Sequence, residues 1–187
     1  MKPLDQKAIF DAFPTLWQRL QKEFFKLETL AAYDEDSERP LLELFKAGKR
    51  GELIARLREE AALDPLWKDA EVRHLLQRRV HLVDLPLSPY LEFEMQTYRV
   101  NQERGEEIFL ALRNDLGPAG LSLSDFLLFD AFAAVVQKHD ERGRLICGEL
   151  LETSTEISPL CELKAAILRV AQPFEPFCLE HGIEIKH

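Results

Sequence analysis

The chain has 187 residues, 46% hydrophobic and 30% charged, with 33 acidic against 24 basic side chains for a net charge of −9. That balance supports a folded chain with a sizeable core and excludes the weakly hydrophobic, highly charged signature of disorder. It also argues against broad binding to phosphate backbones, which depends on Lys and Arg, because residues 1–76, 77–150 and 151–187 carry −2, −4 and −3. An acidic surface suits a cationic partner instead.

The opening stretch MKPLDQKAIFDAF has charges and no long apolar run, so it reads as neither a signal peptide nor a membrane span. Apolar residues Phe13, Leu16, Trp17, Leu20, Phe24 and Leu27 recur at spacings of three and four. That stripe predicts one helix, with Pro14 near its start. The polar run AAYDEDSER predicts an exposed connection. Pro40 and Gly48 bracket a short helix, Leu53, Leu57 and Ala61 mark another, and Asp64-Pro65 caps a third running to about Gln77.

At RRVHLVDLP the period turns strand-like. Residues 78–85 predict a strand, Pro86, Ser88 and Pro89 a turn, and YLEFEMQTY a second strand paired with the first as a hairpin. In that register Leu91, Phe93 and Met95 share one face, while Tyr90, Glu92, Glu94, Gln96 and Tyr98 share the other. EEIFLALR, DFLLFDA, AAVVQKHD and LICGEL supply further strands. Ser158-Pro159 predicts the start of a closing helix whose stripe is Leu160, Leu163, Ile167 and Val170, followed by a short helix ending near Gly182. The expected architecture is α+β and one domain over 1–187. It has a helical part over 1–77, a mainly antiparallel sheet of five to six strands over 78–150, and C-terminal helices over 158–181. The closing helix is expected to pack on the sheet above Leu91, Phe93 and Met95.

Chemistry is sparse in the sequence. No stretch spaces ligands for a metal, forms a glycine-rich phosphate loop or carries a nucleophile elbow, so neither a metal nor a cofactor is expected. Cys147, Cys161 and Cys178 are odd in number and lack a CxxC spacing. They read as free, mostly buried thiols, with the cytoplasm as the default location. Glu92 and Glu94 stand about 6–7 Å apart on one strand face, a separation compatible with paired acid–base carboxylates, but strand alternation alone gives the same pattern. Arg79 and His81 share a face and could hold an anion, or pair with Glu92 or Glu94 across strands. His139-Asp140 precedes the turn ERGR, where the aspartate reads as a turn former.

The runs RRVHLVDLPLSPYLEFEM, RGEEI and SDFLLFDAFAAVVQKHDERGRLICGEL resemble a bacterial family of unknown function, common in actinobacteria and often encoded beside XRE-type helix-turn-helix regulators. The likeness extends over most of residues 24–177. It rests on Arg79, Pro86, Ser88, Tyr90, Phe93 and Glu94, on Gly105-Glu106, and on Asp125, Phe126, Leu128, Phe129 and Asp130. Leu127 stands where the family has tryptophan, and residues 116–123 are longer than usual. The resemblance implies a regulatory neighbourhood and transfers no catalytic residue. It selects Arg79, Tyr90 and Glu94, and with His81, which shares a strand face with Arg79, these form the candidate polar site, either a structural clamp or a small site.

Two functions stay open on this reading. One is a cytoplasmic regulatory module that binds a protein partner, such as a DNA-binding helix-turn-helix regulator. The other is a small RNA- or nucleotide-processing enzyme using Arg for phosphoryl charge and Glu or His for proton transfer. Membrane association and direct nucleic-acid binding are not expected.

Overall fold

Which face of a strand is polar decides this architecture, because the sheet is covered on both sides. The computed structural model describes residues 2–185. Its elements in order are β1 (Lys2–Asp5), α1 (Gln6–Arg19), β2 (Glu23–Glu28), α2 (Arg39–Lys46), α3 (Arg50–Leu63), α4 (Pro65–Arg73), β3 (Leu76–Val83) and α5 (Pro89–Glu103). There follow β4 (Glu107–Leu112), a 3-10 segment (Arg113–Ser122), β5 (Phe126–Phe129), β6 (Ala133–His139), β7 (Leu145–Leu151), α6 (Ser154–Val170), β8 (Gln172–Pro173) and α7 (Phe174–Glu180). The strands form one eight-stranded mixed sheet in the order β1-β7-β6-β5-β2-β3-β4-β8. β2, β3 and β4 run parallel, while the remaining pairings are antiparallel.

The α+β class is as expected; the sheet is larger than expected and not mainly a meander of residues 78–150. Two of its strands lie in the region read as helical, and β2 is central. The stripe from Phe13 to Leu27 covers two elements: α1 ends at Arg19 with Pro14 inside it, and β2 follows. Phe24 and Leu27 lie on opposite faces of β2 yet stand three residues apart, so they continue the spacing of the helix before them. Asp130 holds the break between α1 and β2 by accepting the N–H groups of Gln21, Lys22 and Glu23 at 2.8, 3.1 and 2.7 Å.

The hairpin expected over 78–98 is also absent. Residues 89–103 form α5, with Ser88 as N-cap accepting from the Leu91 N–H and Pro89 in the first turn. This is the same cap-plus-proline signature that correctly marks α4 at Asp64-Pro65. α5 hides its period because it is buried nearly all round, at Tyr90, Leu91, Phe93, Glu94, Met95, Gln96, Tyr98 and Val100. With α5 as a crossover, β3 and β4 become parallel neighbours.

One face of the sheet carries Phe25, Leu27, Val80, Leu82, Phe126, Leu128 and Ala134 and packs on Ile157 and Ile167 of α6. This closing helix begins at Ser154, before Ser158, with a capping box of Thr153 and Glu156. The other face carries two separate apolar packs. α1 covers Phe24, Leu127, Phe129, Val135 and Leu150, whereas α2, α3, α5 and α7 gather over Ile108 and Leu110. Leu91, Phe93 and Met95 belong to this second pack, across the sheet from the α6 stripe, so the contact expected between them does not exist. Val170 of that stripe is 38% exposed.

The β6–β7 turn is seated on the segment after β2. Asp140 accepts the N–H groups of Arg142 and Arg144, as a turn-forming aspartate does. Gly143 has φ +82°, and a Cβ there would lie 2.3 Å from the Ala32 carbonyl oxygen and 2.9 Å from Tyr33 Cα. Gly143→Ala is therefore expected to lower unfolding free energy by about 1–3 kcal/mol, through strain and loss of this close approach. Urea unfolding measures it; an unchanged midpoint would show that the turn does not rest on residues 32–33.

Candidate polar cleft

Between the two apolar packs, the same sheet face is polar. Lys26 and Glu28 of β2 stand in register with Arg79 and His81 of β3, because alternate residues of paired strands share a face. Glu28 is 3% exposed and serves as the hub. Its Oε1 lies 2.6 Å from Lys26 Nζ, and its Oε2 accepts from Arg79 at 2.9 Å and from the Tyr98 hydroxyl at 2.8 Å. Arg79 also donates to Glu106 at 2.9 Å, whose second oxygen accepts from Asn101 at 2.9 Å. The Arg79 guanidinium lies over the Tyr98 ring, 5.0 Å from its centroid.

His81 is fully buried between Tyr98 and the Leu30 carbonyl. That carbonyl only accepts, so Nε2 carries a hydrogen at 2.8 Å from it. Nδ1 lies 2.6 Å from the Tyr98 oxygen, which has a single hydrogen for two neighbours, His81 and Glu28. The Glu28 carboxylate takes that hydrogen when Nδ1 carries one of its own. Burial pushes the imidazolium pKa down and Glu28 pulls it up, so the protonation of His81 is tied to the charge of Glu28. For Glu28 itself, burial alone would raise the carboxyl, but Arg79, Lys26 and His81 hold it well below the usual range.

Glu94 lies one helical turn from both Tyr90 and Tyr98 on α5. It is 4% exposed, and its Oε1 has no hydrogen-bond partner. Burial, then Glu38 and Glu28, push its carboxyl well above the ordinary value, so it is held protonated. The Tyr90 hydroxyl donates to Glu38 at 2.7 Å. Burial also raises Glu38, against the hydrogen bond from Tyr90.

A second cluster sits on Asp125, just before β5 and 2% exposed. Its Oδ1 accepts the Thr29 N–H at 2.8 Å and the Thr29 hydroxyl at 2.7 Å, and its Oδ2 accepts the Tyr33 hydroxyl at 2.5 Å. His139 Nδ1 is 3.9 Å from Oδ2, and its ring meets Tyr33 edge-on at 5.4 Å. Burial pushes the His139 imidazolium down, so it is neutral near pH 7.

These groups open into a cleft of about 490 Å³. Ile9, Phe10 and Phe13 of α1, with Phe24, Leu127 and Leu145, form its apolar side; Lys26, Arg79, Asp125 and His139 form its polar floor; residues 33–37 make the opposite rim. The rim is held by Arg144 and Arg39, which pair with both Asp34 and Asp36 at 2.8–3.3 Å.

Of the four residues singled out in the sequence, Arg79 and His81 meet through Glu28 and Tyr98, and Arg79 alone lines this cleft. Tyr90 and Glu94 stand behind it on α5. Arg79 pairs with Glu28 and Glu106, not with Glu92 or Glu94. Sequence reading missed Lys26, Glu28, Thr29, Tyr33, Tyr98, Glu106, Asp125 and His139 as one assembly. Its available signal was FKLET, where two opposite charges alternate inside an apolar run. Among the described residues no group of three or more His, Cys, Asp or Glu side chains is placed to hold a metal. Among the described residues no helix is long and apolar enough to cross a membrane.

The fold and cleft define an α+β protein with a buried polar seam on one face of a doubly covered sheet. The chain belongs to DUF6879, described as a domain of unknown function, whose family profile matches residues 11–179. No curated protein matches it.

The two buried glutamates give opposite pH dependences. Glu28 has a lowered folded pKa, so its contribution is present above the ordinary carboxylate value and is lost as pH falls. Glu94 has a raised folded pKa, so its contribution is complete below that value and is lost as pH rises towards the folded pKa. Glu94→Gln is expected to stabilise the protein by about 1–3 kcal/mol at pH 8, with the gain shrinking towards zero near pH 4. Thermal unfolding at the two pH values tests this; an equal or larger gain at pH 4 would contradict it.

Proposed function

We propose that this protein is a regulatory protein-interaction module whose cleft receives a segment of a partner protein. One observation carries the reading: the charged groups of the cleft floor and of the rim, Glu35 apart, already have bonded partners within the chain. Lys26 and Arg79 are bonded to Glu28, Arg144 to Asp34 and Asp36, and Asp125 to Thr29 and Tyr33. Groups tied in this way preserve a shape, which favours recognition by a preformed surface over turnover. The net charge of −9 favours a basic partner. A helix-turn-helix regulator fits that charge and the bacterial regulatory neighbourhood implied by the sequence resemblance. A cytoplasmic setting belongs to the same proposal and is supported by three cysteines that remain free.

A second reading, a small RNA- or nucleotide-processing enzyme, draws on His139. It is a neutral, half-buried imidazole in the cleft beside Asp125 and Tyr33, a state suited to a general base.

Selection of a phage-displayed random peptide library on the immobilised chain tests the first reading. Enriched peptides are expected to lose at least about tenfold in affinity on Phe10→Arg, which blocks the apolar wall, and to keep it on Val72→Arg. Both positions are exposed, at 61% and 78%, so folding is spared. Absence of enrichment, or binding indifferent to Phe10→Arg, would overturn the reading. Turnover of RNA or nucleotides that disappears with His139→Ala would replace it with the second.

A further inference from the structure

We infer that the cleft recognises a cationic group, an ammonium or guanidinium, borne on an apolar or aromatic segment of the partner. This rests on the binding reading above and goes beyond it by naming the chemistry of the anchor.

The charges around the cleft do not balance. Four cations around the cleft, Lys26, Arg79, Arg39 and Arg144, are cancelled by four carboxylates bonded to them, Glu28, Glu106, Asp34 and Asp36. Two lining carboxylates stand outside this balance. Asp125 accepts hydrogen bonds only from neutral donors, the Thr29 N–H, the Thr29 hydroxyl and the Tyr33 hydroxyl. Glu35 makes no ion pair with a described residue, is exposed on the rim, and bears electrostatically on both Lys26 and His139. His139 does not supply the missing charge, because burial keeps it neutral. The cleft therefore presents an excess of negative charge between low-dielectric walls, which concentrates its field on an incoming cation.

The apolar side selects what carries the cation. Phe10 is 61% exposed on the wall of the cleft, and Phe13, Phe24 and Leu127 continue the surface inward. Tyr33 faces them from the rim. A cation entering from the mouth meets the Glu35 carboxylate and aromatic faces together, and the aliphatic or aromatic stem behind it lies on the α1 wall. An anionic group would meet Glu35 and Asp125 with no uncommitted cation to receive it, since Lys26 and Arg79 are already bonded.

The test uses 2-phenylethylamine, 2-phenylethanol and phenylacetate as probes of equal shape and different charge. Each is titrated into the full chain while the Tyr33 and Phe10 ring signals are followed by NMR. The amine is expected to shift both saturably, to bind at least about tenfold more tightly than the alcohol, and to lose most of that margin in Glu35→Gln. The acid is expected to be weakest. Equal binding of the alcohol, or tighter binding of the acid, would overturn the cation preference while leaving the cleft as a binding site. No shift with any probe overturns the cation preference, and, if no peptide is enriched either, removes the binding reading with it.

Discussion

Lys26 and Arg79 project side by side from adjacent strands into a covered sheet face, and a pair of cations in that position must be neutralised there. Taking ions out of water costs several kcal/mol each, and the cost is offset only by close counter-ions with their hydrogen bonds filled. Glu28 and Glu106 supply the counter-charge, and Tyr98 and Asn101 fill out the hydrogen bonding around them. α5 must cross at the height that brings Tyr98 onto Glu28 and His81, and the chain after β2 must turn where the Leu30 carbonyl meets His81. The positions of α5 and of the rim thus follow from one electrostatic requirement.

That requirement also explains why the helical cover is divided. An apolar helix laid across Lys26 and Arg79 would take away the water that both still reach and offer no hydrogen bond in return. The face is instead covered by α1 on the β5–β7 side and by α5 with its neighbours on the β3–β4 side. The cleft is the gap between them. Its far wall is closed by the β6–β7 turn, where Gly143 allows the backbone to rest on residues 32–33 and Arg144 reaches Asp34. Glu94 shows the cost of the arrangement: with Glu38 and Glu28 near it, its carboxyl is pushed well above the ordinary value, which favours the uncharged form.

The parts of this fold legible in the sequence were those with local signals. α4 announced itself by Asp64-Pro65, and β5, β6 and β7 by short apolar runs between turns. β2 and α5 were misread because their spacing misleads: Phe24 and Leu27 continue the helical spacing of α1 by chance, and α5 is buried on so many sides that its own period is hidden. Arg79 and His81 were legible as residues of interest because charge inside an apolar strand is expensive. Their partners were not, because Glu28 and Tyr98 come from elements 51 and 17 residues away in sequence, whose placement only the fold reveals. The acidic stretch 34–37 reads as an exposed connection and also forms the rim of the cleft.

The central claim is that one buried carboxylate is held ionised by Lys26 and Arg79 while a second, on α5, is held protonated beside it. Carboxyl ¹³C NMR of glutamate-labelled protein across a pH titration, assigned with Glu28→Gln and Glu94→Gln, reads both groups directly. The account predicts that the Glu28 carbon keeps its ionised shift well below the usual glutamate midpoint of about 4.3, while Glu94 keeps its protonated shift well above it. Titration of both carbons together near that midpoint would contradict it.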